Sequence, residues 1–395
     1  MGYKKFAADH IFDGNRLITG NNVLITDETG IIADIVDISE AGDGILFSKG
    51  ILCPGFINVH CHLELSHLKG LIPEQTGLVD FILRIVKDRH FDEEIILEAI
   101  ANAEEEMIRN GIVAVGDICN NSLTIAQKKL QRLCYHNFIE VSGFPPSIAA
   151  MRFERSKAIL ETYHASLITH HSSLSPHAPY SVSPELFSMI NKETVGEIIT
   201  IHNQEVKEEN DLFQLRGGDF LRLYKEMDID ISFFTATGKS SLQTFMPYLN
   251  NQQSVILVHN VVTSAADIEF AKQSTSNLQP PTYFCLCPNA NLYITNCLPD
   301  LDLLISSGVN LVLGTDSLAS NHQLSIWQEI ITLKKHFPYL STEALLQWAT
   351  INGAKALGMD KMLGSFEKGK QPGVLLLEGI MDSVQLNNGF VQRLI

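Results

Sequence analysis

Two histidines stand one residue apart in the segment GFINVHCHLEL, residues 55–65, directly behind an apolar stretch. Side chains alternate along a β-strand, so His60 and His62 share one face while Cys61 points the other way. Two neighbouring imidazoles in apolar surroundings would repel each other if both were protonated, but as neutral groups they can share one cation. The pair on its own is equally compatible with two histidines that are satisfied separately.

Further polar side chains fall at the same place relative to later apolar runs. His202 ends IITIH and is followed three residues later by Glu205, His259 ends SVILVH, and Asp316 follows NLVLGT. A polar side chain buried at such a position without a partner would cost about 1–3 kcal/mol. The repetition therefore favours one shared site over separate structural roles for each residue. These residue types predict a divalent metal centre with a proton-transferring group.

Apolar runs of strand length alternate with amphipathic segments after residue 50, and they would carry these side chains. This order predicts an α/β protein with a (β/α)8 TIM barrel, in which the carboxyl ends of the strands surround the active site. A doubly wound sheet would alternate in the same way, but no glycine-rich phosphate-binding turn follows an early strand. The predicted strands are Ile51–His60, Ile112–Cys119, Asn137–Gly143, Ser166–His170, Glu197–His202, Ser254–His259, Thr282–Cys287 and Asn310–Gly314.

The two ends of the chain have a different character from the middle. Short β-rich stretches between Gly, Asn and Asp turns fill the first 50 residues, and GSFEKGKQPGVLLLEG returns to the same pattern. We expect residues 1–52 and 365–395 to form a small discontinuous β-sandwich module built from both termini. Residues 53–364 would then form the barrel, without an internal repeat or a flexible linker.

Composition and charge narrow the class of protein. The hydrophobic content of 45% excludes a disordered chain, and the net charge of −16 leaves no basic stripe for nucleic-acid phosphates. No apolar run reaches the roughly 18 residues of a membrane span, and the start MGYKKFAADH lacks a signal-peptide core. The seven scattered cysteines fit the reducing cytoplasm, and we interpret Cys285 and Cys287 as buried strand residues.

Motifs spread over almost the whole chain resemble those of the amidohydrolase superfamily. They are PGFINVHCH, HNQE, the histidine that ends SVILVH, GTD, SPHAPYSVSPEL, TGKSS, CPNANLY and ATINGAKALGM. The set looks more narrowly like the mononuclear deaminase branch, with aminofutalosine, S-adenosylhomocysteine and adenosine deaminases, and HCHLELSHL leans toward the aminofutalosine type. Binuclear members use a lysine from the fourth strand, and because SLITHHSSLSPH contains none, a single metal ion is expected.

The resemblance implies roles for the residues behind the apolar runs. Glu205 would be the proton shuttle in an attack by metal-bound hydroxide, with His259 and Asp316 beside the attacking oxygen. A bound Zn2+ lowers the pKa of its water toward about 7, which makes hydroxide available at neutral pH. Three imidazoles and a carboxylate suit Zn2+, with Fe2+ as the alternative. The implied metal ligands are His60, His62, His202 and Asp316.

Candidates for substrate contact follow either a predicted strand end or the histidine pair. The resemblance implies that His177, in the loop after the fourth predicted strand, contacts the substrate. The other candidates would line the pocket or be structural or solvated side chains. Phe233 and Phe234, near TGKSS, would either cover a planar substrate or pack beneath a loop. The substrate-binding candidates are His177, Glu64, Ser317 and Asn321, and the roles of His67 and Asn291 stay open.

Together these observations predict a cytoplasmic metal-dependent deaminase of an aminated heterocycle, such as aminofutalosine or an adenosine derivative. The same metal site would also serve an enzyme that opens a cyclic C–N bond, as imidazolonepropionase-like members do, or a chlorohydrolase. A non-catalytic metal-binding scaffold is the alternative from another class. The expected partner is a small-molecule substrate rather than nucleic acid or a membrane, and a homodimer is common among relatives.

Overall fold

The computed structural model describes residues 2–167, 170–274, 280–378 and 389–395. Short strands make up the first part of the chain: β1 (Tyr3–Ala7), β2 (His10–Phe12), β3 (Leu17–Thr19), β4 (Asn22–Asp27), β5 (Ile32–Asp37), β6 (Ile45–Phe47) and β7 (Ile51–Pro54). Parallel strands follow: β8 (Phe56–Cys61), β9 (Ile112–Cys119), β10 (Cys134–Val141), β11 (His171–Pro176), β12 (Ile198–Asn203), β13 (Ser254–His259), β14 (Thr282–Leu286) and β15 (Asn310–Leu313). The last described strands are β16 (Val374–Leu377) and β17 (Val391–Arg393).

Helices lie between the parallel strands and after the last of them, and one short helix lies in the N-terminal segment. In chain order they are α1 (Ile38–Ala41), α2 (Leu78–Asp88), α3 (Glu93–Arg109), α4 (Ile125–Lys128), α5 (Ala149–Ser166), α6 (Pro184–Glu193), α7 (Lys207–Leu215), α8 (Phe220–Glu226), α9 (Ser241–Phe245), α10 (Ala265–Ser274), α11 (Pro288–Thr295), α12 (Leu301–Ser306), α13 (Ile326–His336), α14 (Thr342–Ala349) and α15 (Ile351–Ala356). Serine or aspartate caps several of them, as when the Ser325 hydroxyl accepts a hydrogen bond from the Gln328 amide. In the part of the chain that the structure describes, every helix is too short or too polar to cross a bilayer.

Strands from both ends of the chain share one sheet. Its order is β17-β16-β7-β2-β3, and β16 runs antiparallel to β7 with Val374 opposite Pro54. A second sheet, with the order β5-β4-β1-β6, comes from the N-terminal segment alone. Apolar side chains of both sheets, including Phe6, Leu24 and Leu376, form one buried cluster. Side chains of these two sheets therefore pack against each other, while Ile51, Cys53 and Leu375 join the larger cluster that contains the parallel strands.

The parallel strands form two four-stranded sheets, with the orders β11-β10-β9-β8 and β12-β13-β14-β15. Nearly every residue of these strands is buried, because helices or other strands cover both faces. The end of β8 meets the residues beyond β15, where Cys61 and Asp316 form a parallel bridge. The Asn58 side chain donates to Thr315 Oγ1 at 2.8 Å and accepts from the Thr315 amide at 3.0 Å. A Cβ on Gly314 would lie 2.9 Å from the His60 Cβ, so this close approach requires glycine.

The predicted strand Ser166–His170 is wrong. Ser166 is the last residue of α5, residues 168 and 169 lie outside the described part, and the strand begins only at His171. Its sequence, HSSLSP, contains a single large apolar residue, so the apolar pair at positions 167 and 168 gave the stronger sequence signal. Ile112–Cys119 and Ser254–His259 have the predicted bounds, the other predicted strands are present with shifted ends, and the first is divided at Gly55 into β7 and β8.

Candidate metal centre and active site

Five side chains from the carboxyl ends of four parallel strands lie close together. His60 and His62 lie at the end of β8, His202 in β12, His259 at the end of β13, and Asp316 beyond β15. The Nε2 atoms of His60 and His62 lie 3.5 and 3.4 Å from Asp316 Oδ1, and His62 Nε2 lies 3.3 Å from His202 Nε2. Ligand atoms bound tetrahedrally at about 2 Å from one cation are about 3.3 Å apart, so this spacing suits a shared ion.

Burial favours the neutral form of the His62, His202 and His259 imidazoles by lowering their pKa values. It lowers the pKa of His202 well below its usual value, and the neighbouring imidazoles lower it further. It also lowers the pKa of His259 to about 3, despite the nearby carboxylate of Asp316. Burial raises the pKa of Asp316, but the facing imidazoles of His60, His62 and His259 outweigh this effect and hold that pKa well below the usual range. Imidazole nitrogens that favour the neutral form therefore lie beside one carboxylate, and this donor set suits a divalent transition metal.

The hydrogen bonding of the imidazoles also fits a cation. Both ring nitrogens of His60 are buried and have no hydrogen-bond partner among the described residues. His202 Nδ1 donates to the carbonyl oxygen of His177 at 2.8 Å, which leaves the lone pair of its Nε2 directed at His62. Unpaired buried nitrogens cost about 1–3 kcal/mol each, and a shared ion would remove that cost.

The backbone of Asp316 has a strained conformation. Asp316 has φ +56°, in the left-handed region that non-glycine residues rarely adopt, and His259 has φ +76°. The Asp316 amide donates to the His60 carbonyl oxygen at 3.1 Å, and the Ser320 hydroxyl donates to Asp316 Oδ2 at 2.6 Å. These bonds aim Oδ1, the other carboxylate oxygen, at the two histidines of β8.

Glu205 lies beside the cluster on the turn after β12. Its Oε2 is 3.7 Å from His259 Nε2, and its Oε1 is buried without a hydrogen-bond partner in the described structure. Burial raises its pKa well above the usual carboxyl value, and the charges of Asp316 and Glu209 raise it further. The amide of Asn291 donates to His259 Nδ1 at 3.0 Å, so the imidazole hydrogen is on Nε2, toward Glu205. This pair can pass a proton.

His177 forms an ion pair with Glu140, which the sequence reasoning missed. The His177 Nδ1 atom contacts Glu140 Oε1, while Glu140 Oε2 accepts from the Asn120 side chain at 2.7 Å. Burial lowers the pKa of His177, but the Glu140 carboxylate more than offsets this and the pKa is raised. Glu140 is the penultimate residue of β10, as His202 is of β12. Its position near a strand end could therefore have identified it from the sequence.

A cavity of about 510 Å³ opens onto the cluster, within the size range of small-molecule sites. The apolar face of α2 forms one wall, and α8 with the loop after β10 forms another. The ring of Phe144 stacks on Tyr224 with 4.9 Å between ring centroids. Residues on this lining that had been predicted as site residues are His62, Glu64, His177, His202, Glu205, His259, Asp316 and Ser317.

A second cavity of about 310 Å³ continues from the first, and the two share Glu64, Arg89, Glu140 and Arg152. We call it the arginine annex, defined by the side chains of Arg89, Arg152 and Arg155. Arg152 Nε is buried without a hydrogen-bond partner, and none of these guanidinium groups has an ion-pair partner within the described ranges.

The carboxylates at the entrance of the arginine annex are already engaged. Glu140 is paired with His177, and Glu64 Oε2 accepts from the Asn120 amide at 3.0 Å. Burial raises the pKa of Glu64 to about 7, which further reduces its negative charge. The arginine annex is therefore a cavity with unpaired positive charge beside the cluster, in a chain whose net charge is −16.

Other candidate residues lie outside the main cavity lining. The Asn321 amide donates to the Thr315 carbonyl oxygen and to Glu329, both at 2.9 Å, and so supports the loop beneath Asp316. His67 lines the arginine annex. Phe233 and Phe234 pack around Phe144, with ring centroids 5.5 and 5.4 Å from it, and line a separate apolar pocket. Cys285 and Cys287 are buried free cysteines.

Comparisons with known proteins agree with this arrangement. The sequence profile of the amidohydrolase family matches residues 51–392, which confirms the resemblance inferred from the motifs. The chain is 23% identical over 381 residues to a 5'-deoxyadenosine deaminase of Methanosphaera stadtmanae, covering 90% of this chain and 80% of the relative. It is 26% identical over 386 residues to a 5-methylthioadenosine/S-adenosylhomocysteine deaminase of Thermoanaerobacter pseudethanolicus, covering 92% and 81%.

Solved structures with the same fold include the aminofutalosine deaminase of Helicobacter pylori in complex with methylthio-coformycin. It superimposes with a TM-score of 0.80 at 21% identity and covers 96% of this chain and 93% of its own. An adenosine deaminase of Xanthomonas campestris with bound zinc gives a TM-score of 0.72 at 19% identity, with coverage of 97% and 87%.

Proposed function

Because the chain belongs to the amidohydrolase family, we propose that it is a metal-dependent deaminase that removes the exocyclic amino group of an adenine nucleoside-type substrate. Aminofutalosine and adenosine derivatives are the substrates that the names of its relatives suggest. The observation that carries the proposal is the convergence of His60, His62, His202 and Asp316 beside a cavity, with Glu205 next to them.

The proposed metal ligands are the three imidazoles and the carboxylate whose facing atoms lie 3.3–3.5 Å apart. Zn2+ is the preferred ion, since an adenosine deaminase of this fold holds zinc, and Fe2+ is the alternative. When bound, such a cation supplies the acidity that makes water a nucleophile near neutral pH. His259 would remain beside the water rather than act as a ligand, because its Nε2 carries a hydrogen.

The protein's own side chains would move the protons. Glu205 takes a proton from the attacking water and passes it to the ring nitrogen next to the reacting carbon. A C–O bond forms at that carbon, the exocyclic C–N bond breaks, and ammonia leaves with the second proton. Asp316 would orient the water by accepting a hydrogen bond from it, and the Nε2–H group of His259 would donate to its oxygen and stabilise the negative charge that develops there. His177, Glu64 and Ser317, which line the same cavity, would contact the base and ribose.

The arginine annex supports a substrate with an anionic group at the end remote from the base. Apolar side chains of α2 and α8 line the main cavity, which is continuous with the annex, so the combined space suits a partly apolar 5'-substituent that ends in a charged group. Guanidinium groups bind carboxylates through paired, charge-assisted hydrogen bonds. We therefore favour nucleosides with a carboxylate-bearing 5'-extension over adenosine itself.

We further propose that the eight parallel strands close into a (β/α)8 barrel of residues 53–364, beside a sandwich of residues 1–52 and 365–395. The Asn58–Thr315 hydrogen bonds support closure between the first and last strands.

A cytoplasmic location is supported by the seven free cysteines. A homodimer remains the assembly that we expect by analogy with relatives.

The proposal is tested by incubating the metal-loaded protein with aminated purines, pyrimidines and their nucleosides and measuring ammonia. We expect release from adenine nucleosides, with the highest kcat/KM for those that carry a 5'-carboxylate. Cyclic amides and chlorinated triazines belong to the same panel. Turnover of one of these without ammonia release from any adenine nucleoside would contradict the deaminase assignment.

A further inference from the structure

A lysine ammonium group is fully buried behind the metal ligands of β8. The exposed fraction of the Lys128 side chain is 0%, and its Nζ donates to Asp117 Oδ2 at 2.5 Å and to Asn137 Oδ1 at 2.7 Å. Cys119 Sγ, at 3.3 Å, takes its third hydrogen. The rings of Tyr135 and Tyr163 flank the ammonium at 4.9 and 5.3 Å from their centroids.

The partner of this lysine holds the chain directly after a proposed metal ligand. Asp117 Oδ1 accepts a hydrogen bond from the Leu63 amide at 2.8 Å. Leu63 follows His62 and begins the 3₁₀ turn Leu63–Leu68, which carries Glu64 into the cavity. Asp117 is also fully buried, and neither it nor Lys128 lines the main cavity or the arginine annex. Their effect on the site can therefore only be indirect.

A buried ion pair is an expensive way to fill a core, because apolar residues of similar volume often stabilise a protein as well or better. The ammonium of Lys128 engages its three neighbours by hydrogen bonds, and it leaves one oxygen of Asp117 fixed in the direction of the Leu63 amide. Removing the ammonium would leave a buried carboxylate unpaired, and the carboxylate would turn away or bind water instead.

We propose that Lys128 is a positioning residue for the metal centre: it fixes Asp117, whose carboxylate holds the Leu63 amide and thereby His62. Lys128 ends the short helix α4 in the loop after β9, so the second strand-loop unit supports the ligands of the first. The inference rests on the proposed metal site, but its first expected effect, protection of the Leu63 amide from hydrogen exchange, does not require a bound metal.

The test measures amide hydrogen exchange of the peptide that spans residues 61–68, together with zinc affinity from chelator competition, on the whole chain. Lys128→Met should speed exchange of the Leu63 amide and lower zinc affinity by about 10–100-fold, the usual effect of losing a group that orients a ligand. Lys157→Met, which removes a half-exposed lysine paired with Glu193, should change neither. Leu249→Ala, a destabilising change in the core, controls for general loss of stability.

A second pair of variants serves if the single substitution prevents folding. Asp117→Asn/Lys128→Met keeps a neutral acceptor for the Leu63 amide, whereas Asp117→Leu/Lys128→Met removes it. The first should retain zinc affinity within about threefold, and the second should lose it by about 10–100-fold. Equal affinities in this pair, or a Leu249→Ala protein that loses as much affinity as Lys128→Met, would overturn the proposal. Failure of the wild type to bind zinc would instead reject the proposed metal site, and the exchange rates would still decide the role of Lys128.

Discussion

His62 Nε2 and His202 Nε2 lie 3.3 Å apart, although the two residues are 140 positions apart in the chain. The Nδ1 hydrogen of His202 is engaged by the His177 carbonyl, so its Nε2 faces its neighbour with a lone pair. Two such nitrogens in a buried site are held together best by a shared cation. The fold therefore brings the ends of β8 and β12 to the separation at which one cation could bind both.

The first prediction concerns the effect of metal on stability. A ligand that binds only the folded state at 1,000 times its Kd stabilises the protein by about 4 kcal/mol. Addition of zinc to the chelator-treated protein should therefore raise Tm by several degrees, and His202→Ala should abolish the shift. His164→Ala, which removes an exposed histidine of α5, is the matched control. An undiminished shift in His202→Ala would show that the zinc binds elsewhere.

Glu205→Gln should lower kcat by about 10²–10⁴-fold, because an amide cannot accept the proton of the attacking water. Zinc content should stay at the wild-type level, since Glu205 is beside the ligands rather than one of them. Glu208→Gln, three residues along in α7, provides the control and should keep near-normal turnover. A Glu205→Gln enzyme with more than one third of the wild-type kcat would remove Glu205 from the mechanism.

The arginine annex predicts a selective change in substrate affinity. Arg152→Met should raise KM by about 10–100-fold for an adenosine with a 5'-carboxylate substituent, as expected for loss of a charge-assisted hydrogen bond of about 1.5–3 kcal/mol. KM for adenosine, which lacks the charge, should change by less than about threefold. Arg109→Met, on the exposed end of α3, serves as the control. If both substrates lose affinity equally, the annex does not recognise the anionic end.

His136 predicts how the free energy of unfolding depends on pH. Burial lowers its pKa from 6.5 to about 3, so the folded state binds fewer protons than the unfolded state between these values. The neutral His136 therefore supports stability above pH 6.5, and this contribution, on the order of a few kcal/mol, is lost as pH falls toward 3. His136→Asn should flatten the profile of denaturant midpoint against pH in this range. The exposed His10→Asn should leave it as steep as in the wild type.

The sequence was sufficient to locate the residues that follow apolar runs. His60, His202 and His259 each lie at the end of an apolar run. Because the carboxyl ends of parallel barrel strands converge, residues at these sequence positions lie close together in the fold. The fourth strand failed this approach because HSSLSP has almost no apolar signal. Its correct bounds depend on pairing with β10, which only the folded structure supplies.

Contacts between side chains from distant segments could not be foreseen in the same way. Lys128 and Asp117 are separated by a loop whose path is not encoded in periodicity, and Lys128 alone would be expected on the surface. The arginine annex likewise combines α2, whose Arg89 is near its end, with α5, which carries Arg152 and Arg155. Sequence spacing within a helix places the last two one turn apart but does not say which cavity they face.

The most direct test of the metal centre is the number of metal ions per chain, measured by inductively coupled plasma mass spectrometry. The protein should be purified without a metal-affinity tag and compared with His60→Ala prepared in parallel. One equivalent of zinc or iron in the wild type and almost none in His60→Ala is the predicted result. No metal in the wild type, two equivalents, or equal content in both proteins would contradict a single ion shared by these strand ends.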